Sequence, residues 1–450
     1  MQQFELSEEL VSQIEGLIKA DNKEDVAKLV EPLHPADIAE IMNELDTKEA
    51  QFLFLLLDEE KAGDVLAEIE EDERQRFIDS FPPEVIAKRF VDNMDTDDAA
   101  DLVGSMPNEQ QQEVLSHMED LEQAGDIVDL LHYDEDSAGG LMGKELVKVN
   151  ENWTVLTCLR ELSRQAENLD EIFYIYVVDD DNILKGRLSL KKMILSPTST
   201  KIQSIYNPDV TYVTTDEPAE SVGRIMQKYD LVAIPVVDSI GRLVGRITID
   251  DVVDVIREEA EKDYQMMSGI SQDVETSDNV FTQTAARLPW LLIGMIGGLG
   301  NSVILGGFES SFATNPKMAL FIPLIGGTGG NVGIQSSAIV VQGLANNTLK
   351  EGNIVPQILK ESVVSLINAS IISLVVFIYN FFMLGDRGIT ASVSLSLFAV
   401  VMFASIFGTL VPMTLDKMKI DPALATGPFI TITNDIIGMM IYMFITSALA

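Results

Sequence analysis

The sequence predicts a multidomain membrane protein. We expect an all-α superhelical N-terminal domain, a pair of α/β domains, a connecting helix and an α-helical membrane domain of five spans. Three observations predict this order. Apolar residues recur every three to four positions up to about residue 132, two 20-residue segments repeat at a spacing of 59, and five long apolar stretches fill the C-terminal third. At 450 residues the chain has room for about three domains.

Charge is concentrated before Asn279. From that residue onward the chain has seven acidic and seven basic residues, so the totals of 71 and 31 leave 64 acidic and 24 basic residues in the first part. Its net charge of −40 repels nucleic acid and attracts cations. The single cysteine, Cys158, excludes an intramolecular disulfide and favours a reducing compartment. We therefore expect cations, and no nucleic acid, as partners.

Residues 1–132 are predicted to form the acidic helical domain. Three segments in it share an apolar start, a small residue six positions on, and then an acid followed by two apolar residues: 33–45, 57–69 and 94–106. Such repeats bury an apolar face only against their neighbours, which predicts stacked helical hairpins. The stretch "YDEDSAGGLM" (133–142) interrupts the pattern and is expected to be a linker.

Residues 133–263 are predicted to hold two copies of one α/β unit. "IYVVDDDNILKGRLSLKKMI" (175–194) aligns without gaps on "IPVVDSIGRLVGRITIDDVV" (234–253), and each copy reads as strand, turn, strand and helix. The pattern resembles paired CBS domains, which regulate an attached channel or enzyme and sometimes bind adenine nucleotides. The resemblance implies a ribose-binding Asp in a Ser/Thr-x-x-Asp motif. The second copy has this motif from Thr248 to Asp251, whereas the first has Lys192 after Ser189, so ATP stays an open alternative with no residue assigned to it.

A connecting "plug" helix is expected over 264–287, and the transmembrane domain over 288–450. Each apolar stretch is long enough to cross about 30 Å of hydrocarbon. The spans are predicted near 288–310, 317–343, 355–383, 390–415 and 422–449. With the soluble domains in the cytoplasm, five basic residues lie in inner loops and only Lys317 and Arg387 in outer ones, as the positive-inside rule requires. This predicts a multi-pass protein of the inner or plasma membrane with its C-terminus outside.

Two predicted spans carry polar residues at membrane depth. In "LIGGTGGNVGIQSS" (324–337) three of them follow at helical spacing and share one face: Thr328, Asn331 and Gln335. We expect this face to line a pore in which Asn331 and Gln335 contact the ion; the alternative is that the glycines allow tight packing and the amides bond across helices. In the last span, Asp435 shares a narrow polar face with Thr431 and Gly427. No span contains a basic partner for Asp435, so we expect this carboxylate to face water and a mobile cation.

The chain resembles one known family over essentially its full length. The helical repeats, "SAGGLM" (137–142), the CBS motifs, "GGFES" (306–310), "GGTGGNVGIQSS" (326–337) and "DPALATGPFITITND" (421–435) resemble the MgtE family of magnesium channels and transporters. The resemblance implies a homodimer in the lipid bilayer, with its pore between the second and fifth spans of both subunits. It also implies that Asp435 recognises Mg²⁺, that Gly427 and Thr431 support the pore, and that Asp421 binds near the inner mouth.

Magnesium chemistry agrees with this site. Mg²⁺ dehydrates reluctantly and prefers octahedral oxygen ligands, so an Asp435 carboxylate from each subunit can hold it through its waters. The spans contain no Cys or His to favour softer metals. A less selective transporter of Mn²⁺, Co²⁺ or Ni²⁺ stays open as an alternative.

An acidic stripe follows the second CBS copy. On the helix that "TIDDVVDVIREEAEKD" (248–263) predicts, a stripe about 80° wide contains four acids: Asp251, Asp254, Glu258 and Glu261. A second acidic cluster, "MDTDDAAD" (94–101), lies in the helical domain. In the MgtE family, intracellular Mg²⁺ bridges such faces and closes the pore. The resemblance assigns this sensor role to Asp251, Asp254, Glu259 and Asp263, to Glu220 in the second CBS copy, and to Asp95 or Asp98 in the helical domain. We add Glu258 of the stripe to these candidates, so Mg²⁺ is predicted to be both cargo and regulatory ligand.

Other functional classes fit less well. An intramembrane aspartyl protease needs two carboxylates that share a proton, and this chain supplies one central Asp. An ATP-driven pump is disfavoured because no G-x-x-x-x-G-K-[ST] loop occurs. We expect no enzyme activity, and a nucleotide-sensing membrane protein, with spans that serve only as an anchor, stays an alternative. The sequence does not decide between a channel and a coupled carrier.

Overall fold

The computed structural model describes residues 6–69, 74, 77–78, 80–166, 169, 172–272, 274, 279–345, 349, 354–383, 385–425 and 427–449. They form two compact units, Met1–Ile256 and Arg257–Ala450. Helices come first in the chain, then two small mixed sheets, then long apolar helices. This order confirms the predicted fold class.

The N-terminal domain consists of short helices. Their bounds are α1 Glu8–Lys19, α2 Lys23–Val30, α3 Pro35–Glu44, α4 Thr47–Phe54, α5 Glu59–Ala67, α6 Pro83–Arg89, α7 Thr96–Gly104, α8 Asn108–His117 and α9 Leu121–Leu130. Helices α3, α5 and α7 coincide with the three repeats. Polar side chains cap the N-termini of several of these helices. Asp58, for example, accepts the Lys61 N–H at 2.9 Å at the start of α5. The apolar faces bury one core that includes the rings of Phe54 and Phe90, 5.1 Å apart.

The two α/β copies have the same topology. The first contains β1 Val147–Asn150, α10 Val155–Gln165, β2 Ile175–Val178, β3 Leu184–Leu188 and α11 Leu190–Ile194. The second contains β4 Val213–Thr214, α12 Ala219–Tyr229, β5 Ala233–Val237, β6 Leu243–Thr248 and α13 Ile249–Met267. In each sheet the middle strand pairs parallel with the first strand and antiparallel with the third. The copies are joined by reciprocal backbone bonds, such as Leu184 N–H to Gly241 O at 3.0 Å.

The glycine stretch 137–142 is packed against the second copy. Ala138 and Gly139 donate backbone N–H bonds to Glu217 O and Thr215 O at 2.7 and 3.0 Å. A Cβ on Gly139 would lie 2.5 Å from the Tyr133 ring, so the position requires glycine. The core of the helical domain continues through this segment into the second copy. The segment that was predicted to be a linker is therefore packed into the core that the helical domain shares with the second copy.

Long helices dominate the second unit. They are α14 Val280–Gly306, the short α15 Glu309–Thr314, α16 Ile322–Ala345, α17 Ile354–Met383, α18 Arg387–Lys417 and α19 Pro428–Leu449. Among the described residues, α14, α17, α18 and α19 are long and apolar enough to cross a membrane. The predicted span 317–343 contains a 3₁₀ segment, Pro316–Phe321, and helix α16, whose many glycines and polar residues make it less apolar. Five spans therefore stay a prediction.

The predicted plug helix is not a separate helix in the part of 264–287 that the structure describes. Its helical turns belong to the end of α13, which stops at Met267, and to the start of α14, which begins at Val280. Ser271 connects the two, since its N–H and Oγ both bond to Ala286 O at 3.0 and 2.8 Å. The domain limits proposed at 132, 263 and 287 stay predictions.

Candidate functional site

Helices α16 and α19 bring predicted pore residues face to face. A Cβ built on Gly326 or Gly330, one turn apart on α16, would lie 3.4 or 3.8 Å from Asp435 Oδ1. A Cβ on Gly330 would also lie 3.4 Å from Thr431 Cγ2. The two glycines thus form a groove without side chains beside Asp435 and Thr431. The partly buried Asp435 carboxylate faces this groove.

Helix α16 also packs closely against α19 and α18 at Gly333. A Cβ on Gly333 would lie 1.9 Å from Asn434 Nδ2, and one on Gly408 of α18 would lie 2.4 Å from Gly333 O. The Gly408 contact is backbone to backbone, an approach that glycine allows between membrane helices. Asn434 is buried and donates from Nδ2 to Gly329 O at 3.5 Å. This amide therefore holds α16 and α19 together.

Gly427 is a point of backbone contact. A Cβ on Gly427 would lie 2.1 Å from Met267 O at the end of α13. Gly269, two residues after Met267, has φ +83°, and a Cβ on it would lie 2.6 Å from Pro428 Cγ. The Gly427 carbonyl accepts a hydrogen bond from Thr431 Oγ1 at 3.1 Å. The chain that leaves α13 therefore lies against the start of α19.

The remaining predicted pore residues are not gathered at Asp435. Asn331 and Gln335 are exposed on α16, about 100° and 140° around the helix from Gly330. Within the described part of the chain, no hydrogen bond joins either amide to Asp435. Asp421 is exposed and accepts the Ala423 N–H at 2.8 Å, so it caps the 3₁₀ segment Pro422–Ala425. Their roles in ion binding stay predictions.

A cluster of carboxylates lies in the first unit. Oxygens of Asp95, Asp97 and Glu145, which we call the acidic cluster, are all within 4.8 Å of one another. Glu145 is fixed at the start of α7, where it accepts the Thr96 N–H at 3.0 Å and the Thr96 hydroxyl at 3.1 Å. A Cβ on Gly143 would lie 2.8 Å from Asp97 Oδ2, so glycine lets the carboxylates approach the backbone.

Burial and repulsion between neighbouring carboxylates raise the pKa values of Asp97 and Asp98. Burial, and then the nearby Asp251 carboxylate, raise the pKa of Asp97 well above its usual value and that of Asp98 to about 7. Burial also raises the pKa of Asp251, although Thr248 donates its N–H and hydroxyl to Asp251 at 3.1 and 2.6 Å. Hard carboxylate oxygens at this spacing fit Mg²⁺. A bound divalent cation would remove the repulsion.

The structure brings together only some of the predicted sensor residues. Asp95, Asp98 and Asp251 lie close together, since the carboxylates of Asp95 and Asp251 both raise the pKa of Asp98. Asp254 acts on Glu68 of the helical domain, whose pKa is raised mainly by burial. The others are elsewhere: Glu220 is paired with Arg224 at 2.9 Å and Glu259 with Lys262 at 3.2 Å, while Glu258 and Asp263 lie on the part of α13 in the second unit.

Sequence reasoning missed three members of this region. Asp97 was within the quoted acidic segment, and its place in the first turn of α7 was the available signal. Glu145 and Glu68 gave no signal, because each approaches the other acids only through tertiary contacts.

Cavities lie on the first CBS copy and beside it. The larger has a volume of about 500 Å³, and Tyr174, Arg187, Lys191 and Lys192 are among its lining residues. A second cavity of about 170 Å³ is lined by Tyr176 and Tyr229, and Tyr174 and Arg187 line both cavities. The basic side chains suit an anionic ligand.

A helical domain, a pair of α/β units and a bundle of long apolar helices with a carboxylate beside a glycine groove are typical of a membrane transport protein. Family models match along the chain: the MgtE intracellular N domain at 33–136, the CBS domain at 138–196 and 202–258, and the divalent cation transporter MgtE at 322–445. The chain belongs to the MgtE family.

Similar proteins agree with this assignment. The magnesium transporter MgtE of Thermus thermophilus is 32% identical over 97% of this chain and 98% of its own length, and that of Bacillus subtilis is 31% identical over 98% and 97%. A crystal structure of the soluble part of a magnesium transporter is 32% identical, with TM-score 0.51, over 56% of this chain and 99% of that one. The cytosolic domain of the Mg²⁺ channel MgtE in complex with ATP is 34% identical, with TM-score 0.51, over 54% and 99%.

Proposed function

We propose that this chain carries Mg²⁺ across the cell membrane through a pore that includes Asp435. The observation that carries the proposal is the Asp435 carboxylate beside the Gly326–Gly330 groove, within the segment matched by the divalent cation transporter model. A hydrated Mg²⁺ can be held by a carboxylate through its waters, and glycines leave room for those waters. The relatives named as magnesium transporters support the choice of ion.

The pore is completed by a second copy of the chain. One Asp435 leaves a divalent cation half neutralised, and a homodimer supplies a second carboxylate. We assign Thr431, Gly427, Asn331, Gln335 and Asp421 to the surroundings of the ion path. The protein lies in the inner or plasma membrane with its N-terminal domains in the cytoplasm and its C-terminus outside, and it moves ions without enzyme chemistry.

Intracellular Mg²⁺ closes the pore through the acidic cluster and α13. When the ion is absent, crowded carboxylates oppose docking of the helical domain on the second CBS copy, and Mg²⁺ relieves this repulsion. Asp95, Asp97, Asp98, Glu145 and Asp251 carry this role in the first unit. Glu220, Asp254, Glu258, Glu259 and Asp263 stay candidates for further regulatory ions.

ATP is a candidate ligand of the CBS pair. Support comes from the similar cytosolic domain solved with ATP and from the basic cavity on the first copy. Against it, Lys192 stands in place of the ribose-binding Asp, and Asp251 of the second copy already accepts two bonds from Thr248. Titration of the full-length protein with ATP tests this directly.

Flux in proteoliposomes tests the transport proposal. The wild type, Asp435→Asn and Asp435→Ala are reconstituted with an Mg²⁺ indicator inside, and Glu309→Gln, an exposed acid of the same unit, serves as the matched control. We expect both Asp435 variants to lose uptake and the control to retain it. Full uptake by both variants would disprove the role of Asp435, and equal uptake of Mn²⁺, Co²⁺ or Ni²⁺ by the wild type would favour the less selective transporter.

A further inference from the structure

Arg246 of strand β6 brings a positive charge to the acidic cluster. Its Nη2 lies 4.0 Å from Asp95 Oδ2, and it lines a cavity of about 10 Å³ together with Glu145. Two of the three acids of the cluster therefore have this guanidinium as a neighbour. Asp95 belongs to the helical domain and Arg246 to the second CBS copy, so the contact lies where these two parts of the first unit meet.

The surroundings of Arg246 hold it in this place. Its backbone N–H and C=O form reciprocal hydrogen bonds with Gly143, both of 2.9 Å, and the Asp97 carboxylate lies against the same glycine. The guanidinium carbon is 5.3 Å from the centre of the Phe173 ring, a cation–π distance. Only 13% of the side chain is exposed. Because Arg246 is packed in this way, its charge leaves the cluster only if the contact with Phe173 is lost.

Hydrogen bonds contribute little to this arrangement. The Nε atom of Arg246 is buried and has no hydrogen-bond partner among the described residues, and the 4.0 Å contact with Asp95 is longer than a hydrogen bond. The main effect of the guanidinium on the carboxylates is therefore the effect of its charge.

That charge acts on the cluster in two ways. Without a divalent cation, it offsets part of the repulsion between the carboxylates and attracts Asp95 to the second CBS copy. With a divalent cation among the carboxylates, it repels the cation. Both effects reduce the stability that the cation adds to the docked domains. Solvent limits their size, because 61% of the Asp95 side chain is exposed.

We propose that Arg246 competes with Mg²⁺ at the acidic cluster and so lowers the sensitivity of the docked domains to the ion. The proposal rests on the regulatory role of the cluster given above. Arg246 is not a ligand of the ion; it acts through the carboxylates that are. A neutral residue at this position should make docking of the helical domain depend more strongly on Mg²⁺.

Hydrogen–deuterium exchange of the full-length protein in lipid nanodiscs tests the proposal without requiring transport. Exchange over α7 is measured in chelator and in saturating Mg²⁺, and the ratio of the two rates gives the protection that Mg²⁺ adds. We expect Arg246→Gln to exchange faster than the wild type in chelator. We also expect its Mg²⁺-induced protection to be roughly fivefold larger than that of the wild type.

Three further variants serve as controls. Arg242→Gln removes the same charge from an exposed arginine that pairs with Asp238 at 2.7 Å, so its protection should equal that of the wild type. Arg246→Lys keeps the charge and should also behave like the wild type. Arg246→Met removes the charge but keeps an apolar chain against Phe173, and it carries the same prediction if Arg246→Gln does not fold.

The outcomes distinguish this inference from the regulatory role of the cluster. Protection that is larger in Arg246→Gln or Arg246→Met, but not in Arg246→Lys or Arg242→Gln, supports the competition. Mg²⁺-induced protection that is equal to or smaller than that of the wild type in the neutral variants would overturn the role of Arg246 and leave the cluster as an Mg²⁺ site. An equal increase in Arg242→Gln would also overturn it, since any lost positive charge would then suffice. No protection by Mg²⁺ over α7 in the wild type would overturn the regulatory site, and this inference with it.

Discussion

Replacing Gly427 by alanine should weaken closure of the pore by internal Mg²⁺. The added Cβ would lie 2.1 Å from Met267 O, whereas carbon and oxygen in contact need about 3.4 Å, so the backbone after α13 must withdraw by roughly 1.3 Å. Overpacking of this kind costs about 1–3 kcal/mol. If closure requires the α13 end to lie on α19, that cost shifts the equilibrium roughly 5- to 150-fold toward the open state.

The assay is Mg²⁺ uptake into proteoliposomes as internal Mg²⁺ is raised, with melting of each variant measured in the same lipid. We expect Gly427→Ala to keep transporting at internal concentrations that stop the wild type. Gly294→Ala is the matched control, because its Cβ would meet nothing within 4 Å. A folded Gly427→Ala protein that closes at the wild-type concentration would refute the reasoning.

Three other predictions concern packing, pH and thiol reactivity. Gly333→Ala should lower the unfolding free energy of the membrane domain by about 1–3 kcal/mol, since its Cβ would lie 1.9 Å from Asn434 Nδ2; melting in detergent equal to that of the wild type would contradict this. The pKa of Asp98 is raised to about 7, so between pH about 4 and 7 the folded protein keeps a proton that the unfolded chain releases. The free energy of unfolding, measured in chelator, should therefore fall as pH rises through this window. Asp98→Asn should flatten that slope in thermal melts at several pH values, and an unchanged slope would argue against it. Burial raises the pKa of Cys158 to about 11, so alkylation followed by mass spectrometry should be slow until the protein unfolds, and rapid native labelling would disagree.

Much of the fold could be predicted from local patterns. The helical repeats, the duplicated strand–turn–strand–helix unit and the apolar stretches all depend on residues close together in the chain, and each appears as a helix or strand near its expected bounds. The partly polar segment that contains Asn331 was also correctly expected to be helical. Bounds were less accurate where a helix continues through polar sequence: α14 begins at Val280, eight residues before the predicted span.

The sites could be predicted only in part. Asp435 was visible because a carboxylate in an apolar stretch is conspicuous, and Asp251 because of its motif with Thr248. Glu145 was not visible, since an isolated acid in a polar sequence has no pattern and acquires its partners only when distant segments meet.

The sequence by itself determined the order of the domains, the charge of the first part and the single acid of the last helix, because periodicity and composition are local properties. The tertiary structure decided which backbones touch. It set Gly427 against Met267, placed Gly326 and Gly330 beside Asp435, and gathered Asp95, Asp97 and Glu145 at the start of α7. These contacts join residues that are far apart in the chain, and they depend on how whole helices pack, which no local pattern encodes.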